Sequence, residues 1–220
     1  MDLFKAFEND FPTERTNLFT KQILLATKTF NKFLLENKTF FSYPEYGPLK
    51  GYLLTYSVQK LLYDSAFTPT TFYQAISVQV NKFGYSVLHI KTDNFQLTTS
   101  KTYNWAELPS PSRYKCEYAQ ANVSGDGQLS FDFCQKNYIP NPYYALLTYG
   151  YNNRTQECSH IDLIIPDGDF KNILHRKDLL ANTHNGLYLL PSENEIEETV
   201  AVLNPEFEKI IQLKDIRKGV

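Results

Sequence analysis

The chain has 220 residues, and its 22 basic and 24 acidic side chains leave a formal net charge of −2. That balance excludes a strongly basic nucleic-acid coat and an acidic tail, and 42% apolar with 21% charged residues excludes a disordered chain. The unusual quantity is aromatic content, with 16 Tyr, 16 Phe and one Trp.

The first ten residues suit a short helix around Leu3, Phe4 and Phe7. Pro12 and Thr13 suit a helix start. Phe19, Ile23, Ala26, Phe30, Phe33 and Leu34 then recur at helical spacing, which predicts a helix over about 16–36 with Asn37 as its stop. The segment Phe41 to Gly51 holds two prolines and two glycines and reads as a loop. Leu49, Leu53, Tyr56 and Leu61 give a second helix over about 49–63.

After Pro69 the period changes from 3.6 to 2. Ile76, Val78 and Val80 alternate with polar residues, and turns at 82–84 and 92–94 lead into strands over 85–91 and 95–100. The three strands form a meander. Residues 101–126 show no clear period. Ser124 to Gly127 is a turn signal, and Leu129, Phe131 and Phe133 predict a strand before Pro140 and Pro142 break it. Tyr143–Tyr151 and Cys158–Ile165 read as the two arms of a hairpin. Asp169 is a good N-cap, which predicts a helix carrying Phe170, Ile173 and Leu174. Leu187 to Leu190 suits a short strand. Ser192 and Glu195 form a capping box, and Asn204-Pro205 looks like the start of a further helical segment lined by Phe207, Ile210, Ile211 and Lys214. Acids early and bases late in this region match the helix macrodipole.

Together these elements predict an α+β fold: N-terminal helices, a mainly antiparallel central sheet of about six or seven strands, and C-terminal helices. One domain over 1–220 is expected, with a helical part at 1–67, a sheet-rich core at 70–190 and a helical segment at 191–220. Cys116, Cys134 and Cys158 form no CxxC pair, which suits a reducing compartment. With no signal-like leader and no apolar run of about 20 residues, the expected location is the cytoplasm, with no membrane contact.

The densest polar cluster runs from Glu157 to Asp169. On a strand, Cys158, His160 and Asp162 would share one face. A catalytic triad does not follow, because residues two apart on a strand lie about 6.6–7 Å apart while a nucleophile and its base need about 2.6–3.2 Å. His160 and Asp162 are candidate ligands for Mg²⁺ or Mn²⁺, with Asp167, Asp169 and Lys171 as further catalytic candidates in a divalent-metal-dependent nuclease or phosphodiesterase. The string Pro166 to Lys171 has the letters of a nuclease PD…D-x-K signature but not its spacing, and a turn with an N-cap explains the same residues. Asp126 and Asp132 need no functional role. No phosphate loop, zinc-protease motif or serine-hydrolase elbow is present. His89, His175 and His184 stand isolated, with His175, Arg176 and Lys177 expected as a solvated basic patch on a helix.

Exposed aromatics beside Lys would suit base stacking, but phosphate contacts dominate nucleic-acid affinity and the net charge is negative. A nucleic-acid partner is therefore less favoured than a protein partner, for which Tyr offers contact area with a polar handle. The aromatic, proline-bearing loops at 40–46 and 137–144 are the expected contact surface, through Tyr43, Tyr46, Tyr138, Tyr143 and Tyr144. The alternative is that these loops fold back onto the ends of the sheet. The leading expectation is a non-enzymatic protein-interaction module without a cofactor, and the Lys-, Asn-, Phe- and Tyr-rich composition points to a low-G+C bacterium or its phage.

Overall fold

The computed structural model describes residues 2–69, 71–82, 86–105, 107–123, 142–181 and 190–218, with the side chains of 213–218 left aside. The described residues form helices α1 (Leu3–Asp10), α2 (Thr13–Glu36), α3 (Gly47–Ser65), α4 (Arg113–Ala119) and α5 (Glu193–Lys218). Strands β1 (Gln74–Gln79), β2 (Ser86–Lys91), β3 (Phe95–Lys101), β4 (Tyr143–Asn152), β5 (Glu157–Pro166) and β6 (Ile173–Asp178) make one sheet in sequential order. The α+β prediction holds. All neighbours are antiparallel except β3 and β4, which run parallel with Phe95 opposite Tyr143. A parallel neighbour needs a long connection. Residues 102–142 supply it, and they carry α4, an element the sequence period did not reveal.

One sheet face is covered by α1, α2, α3 and α5. Phe7, Phe11, Phe19, Phe30, Phe33, Phe95 and Phe207 are all buried there, with Leu97, Leu147, Tyr149, Ile161, Leu163 and Ile165 pointing up from the strands. The ring pairs include Phe33–Phe207 at 4.6 Å and Phe7–Phe11 at 5.0 Å between centroids. Much of the aromatic excess is therefore ordinary core.

Specific polar residues tie the layers. Asp10, almost wholly buried at the end of α1, accepts hydrogen bonds from the Thr92 hydroxyl, Asn94 N and Asn94 Nδ2, clamping the helix to the β2–β3 turn. Asn122 donates to the carbonyls of Tyr144 and Pro166 and accepts from Tyr144 N. It thereby joins β4 to the end of β5 from the face opposite the main core.

Several boundaries differ from expectation. The 40–51 segment is not a loop throughout: 3₁₀ turns at Phe40–Ser42 and Pro44–Tyr46 lead into α3, which begins at Gly47. Pro48 is compatible because the first helical turn has no intrahelical partner for its missing N–H. No helix follows Asp169. Residues 167–172 form a turn with Phe170 in the left-handed region, at φ 57°, and β6 follows. Asp167 rather than Asp169 organises that turn, accepting from Lys171 N at 2.7 Å and Asn172 Nδ2 at 2.7 Å. His175, Arg176 and Lys177 consequently lie on a strand and split between its faces. The C-terminal segments form one helix, with Pro205 inside it. Leu203 and Phe207, both fully buried, hold the chain helical across the proline. The capping box is present: Ser192 Oγ accepts from Glu195 N, and Glu195 Oε2 accepts from Ser192 N. The predicted strands at 129–133 and 187–190 fall outside the described residues, save Leu190, which has no regular structure. Among the described residues no helix is long and apolar enough to cross a membrane.

Candidate functional site: a polar cleft on the second sheet face

The second sheet face differs in character from the first. Among the described residues a small apolar cluster covers it, with Ala119 of α4 meeting Tyr144, Leu146, Ile164 and Phe170. Beside that cluster the strands present polar side chains. Thr98, Thr102, Thr148, His160 and Asp162 are all no more than 5% exposed. Strand alternation places them on this face because their neighbours Leu97, Leu147, Ile161 and Leu163 point to the helices. Five buried polar residues side by side require partners, since an unmatched one costs about 1–3 kcal/mol.

The partners make two chains. In the first, His160 Nε2 lies 2.7 Å from the Thr102 hydroxyl and Nδ1 lies 3.0 Å from the Ser159 hydroxyl. Two hydroxyls thus satisfy both ring nitrogens of a neutral imidazole. Burial, followed by the positive charge of Arg176, pushes the His160 pKa down, so the ring is neutral near pH 7. Gly150 lies opposite it on β4. A Cβ there would sit 2.2 Å from His160 Cε1, so glycine is what leaves room for the ring.

In the second chain, Arg176 of β6 reaches Asp162 of β5, with Nη2 2.7 Å and Nε 2.9 Å from Oδ1. Asp162 is wholly buried, and its Oδ2 has no hydrogen-bond partner among the described residues. Burial pushes the Asp162 pKa up to about 6 although Arg176 pulls the other way, and Asp178, directly opposite across the strands, adds to the rise. The guanidinium of Arg176 lies 4.3 Å from the ring centre of Trp105. Stacking of this kind contributes about 0.5–2 kcal/mol. Trp105, Ser159, His160, Arg176, Asp178 and Leu180 line a cleft of about 370 Å³. Trp105 is 58% exposed on its rim, and Tyr103 nearby in sequence is 91% exposed.

The predicted site residues scatter. Cys158, His160 and Asp162 do not share a face. The β4–β5 register shifts between Gly150 and Tyr151, so that Cys158 pairs with Tyr151 and His160 with Gly150. The extra residue, Ser159, is a β-bulge, and a bulge reverses the alternation beyond it. Cys158 accordingly packs toward the helix core. Burial pushes its thiol up to about 12, which removes the thiolate a nucleophile needs. The expected wet face is also corrected, since His160 and Asp162 are buried.

Asp162 and Asp167 do not converge. Five residue steps along extended chain separate them by roughly 16 Å, with Asp162 held under Arg176 and Asp167 engaged in its own exposed turn. Asp169 and Lys171 are exposed and pair with each other at 3.3 Å. The Asp162 carboxylate is paired through Oδ1 with the Arg176 guanidinium. Among the described residues no three His, Cys, Asp or Glu side chains assemble into a metal-holding group.

The aromatic loop residues also separate. Tyr43 is 57% exposed. Tyr46 stacks on Phe40 with centroids 3.9 Å apart. Tyr143 and Tyr144 begin β4 rather than lying in a loop. Tyr143 packs on Phe95, and Tyr144 is 1% exposed with its hydroxyl 2.6 Å from that of Thr98, leaving Tyr144 no surface to offer. Tyr138, Asp126, Asp132, Cys134 and His184 lie outside the described residues. Trp105, Tyr103, Thr102 and Arg176 are the residues that sequence reading missed. The only signal was the chain's single Trp, set in a stretch without period. A scan against family models and searches of curated proteins and of solved structures return no match, so the cleft is interpreted from its own geometry.

Proposed function

We propose that this protein is a non-enzymatic interaction module that binds a protein partner through the Tyr103–Trp105–Arg176 surface. The observation that carries this reading is the exposed indole of Trp105 stacked on a guanidinium that a fully buried carboxylate holds in place. Trp, Tyr and Arg are the residue types that dominate binding hot spots. Of the three, Arg176 stands on β6 with its guanidinium fixed by Asp162, and Trp105 rests on that guanidinium, so these two side chains have less freedom to lose on association. The titratable groups beneath them favour the same reading. His160 is neutral and fully hydrogen-bonded and Asp162 is committed to Arg176, so each supports position rather than reaction. A divalent-metal nuclease would need acids that the described residues hold apart.

The contact surface therefore moves from the loops at 40–46 and 137–144 to the connection after β3, with Tyr43 remaining as an exposed aromatic elsewhere. The test is affinity capture from cells carrying the gene, using wild type and the double variant Tyr103→Ala/Trp105→Ala. Loss of the Trp105–Arg176 stacking, about 0.5–2 kcal/mol, should lower the melting temperature of the variant by no more than about 8 °C and leave it folded. The expected result is loss of a protein captured by the wild type. Equal capture by both would exclude this surface.

A further inference from the structure

We propose that Asp162 controls this surface: ionised, it holds Arg176 against Trp105, and protonated, it releases the pair, so that the aromatic rim responds to acid. The inference rests on the Tyr103–Trp105–Arg176 surface being the contact face, and it adds the regulation of that face.

The geometry makes Asp162 a single point of control. Both short bonds from Arg176 end on Oδ1, while Oδ2 is buried with no hydrogen-bond partner among the described residues. Arg176 in turn lies directly over the indole. A proton on the carboxyl abolishes the charge that fixes the guanidinium, and a long cationic side chain without its anchor gains freedom to leave the ring. The charged and titratable groups facing Asp162 come from two strands. On β6 these are Arg176, which favours the ionised form, and Asp178, which opposes it. On β5 the neighbour on the same face is His160, held neutral, while Cys158 lies on the opposite, helix-covered face. Its partner across β4 is Thr148, which does not titrate. The raised Asp162 pKa of about 6 places the change within reach of mild acidification. The sign is fixed by that elevation: Asp162 takes up its proton as pH falls through about 6, well above the ordinary carboxyl range near 4.

Trp105 is the only Trp in the chain, so intrinsic fluorescence reads this site alone and needs no partner. Titrated from pH 7.5 to 4.5, wild-type emission should change in one transition centred near pH 6. Asp162→Asn should show no such transition, and His160→Gln should keep it. Arg176→Gln, which decides the matter if Asp162→Asn fails to fold, should give the acid-form spectrum at every pH. A flat wild-type curve, a transition that survives Asp162→Asn, its loss in His160→Gln, or a wild-type-like titration in Arg176→Gln would each overturn the proposal. None of these results depends on capture. A failed capture with an intact titration would reject the contact face, and the reverse would reject only the acid response.

Discussion

At the scale of single residues, the second sheet face shows how a buried polar floor is kept in one arrangement. Every member is placed by another: Thr102 and Ser159 fix His160, and Asp162 fixes Arg176. Glycine is needed at one position for the space it leaves rather than for a left-handed φ. With a Cβ predicted only 2.2 Å from both His160 Cε1 and Ser159 Oγ, Gly150→Ala must push the imidazole off its two hydroxyls. Overpacking of this kind costs about 1–3 kcal/mol. Urea unfolding of Gly150→Ala should show a loss in that range. Stability within a few tenths of a kcal/mol of wild type would mean that the ring moves aside freely and that the network does not hold it.

At the scale of elements, local pattern and tertiary packing disagree at informative places. The stripe from Phe19 to Phe33 gave α2 directly, the alternation at 76–80 gave β1, and the apolar segments at 85–91 and 143–151 gave β2 and β4, both buried on the two faces of the sheet. Two signals misled. Asp169 before Phe170 resembles a helix cap, yet Asp167 closes a turn there and Phe170 takes a left-handed conformation to bury its ring. Asn204-Pro205 resembles a helix start, yet α5 runs through it because Leu203 and Phe207 are both anchored in the core. A proline inside a helix costs about 3 kcal/mol relative to alanine. Pro205→Ala should therefore raise stability, by up to that amount, in chemical denaturation. An unchanged or lowered midpoint would show that the missing N–H and the ring are already accommodated without strain. The site was the least legible part. The bulge at Ser159 is invisible in a run of alternating letters, and it alone separates Cys158 from His160. Trp105 and Tyr103 lie outside regular structure, where no period marks them.

At the scale of the whole molecule, the two faces of one sheet divide the work. The helix-covered face absorbs most of the described aromatic residues into a continuous apolar core, which supplies the stability of the fold. Among the described residues the other face carries one short helix, a small apolar cluster and the polar cleft, with the exposed Trp105 at the cleft rim. The near-neutral charge of the chain fits contact with protein better than with a polyanion. The parallel β3–β4 pairing contributes to this division, because the path connecting them carries Trp105 and α4, which lie against the second face. The account stands or falls on whether that path is the contact surface. The most direct measurement is photocrosslinking in cells with a benzophenone amino acid placed at position 103 and, separately, at position 43. The account predicts a discrete protein adduct from position 103 and none of comparable yield from position 43. Adducts from position 43 with none from position 103 would contradict it and return the contact surface to the loop at 40–46.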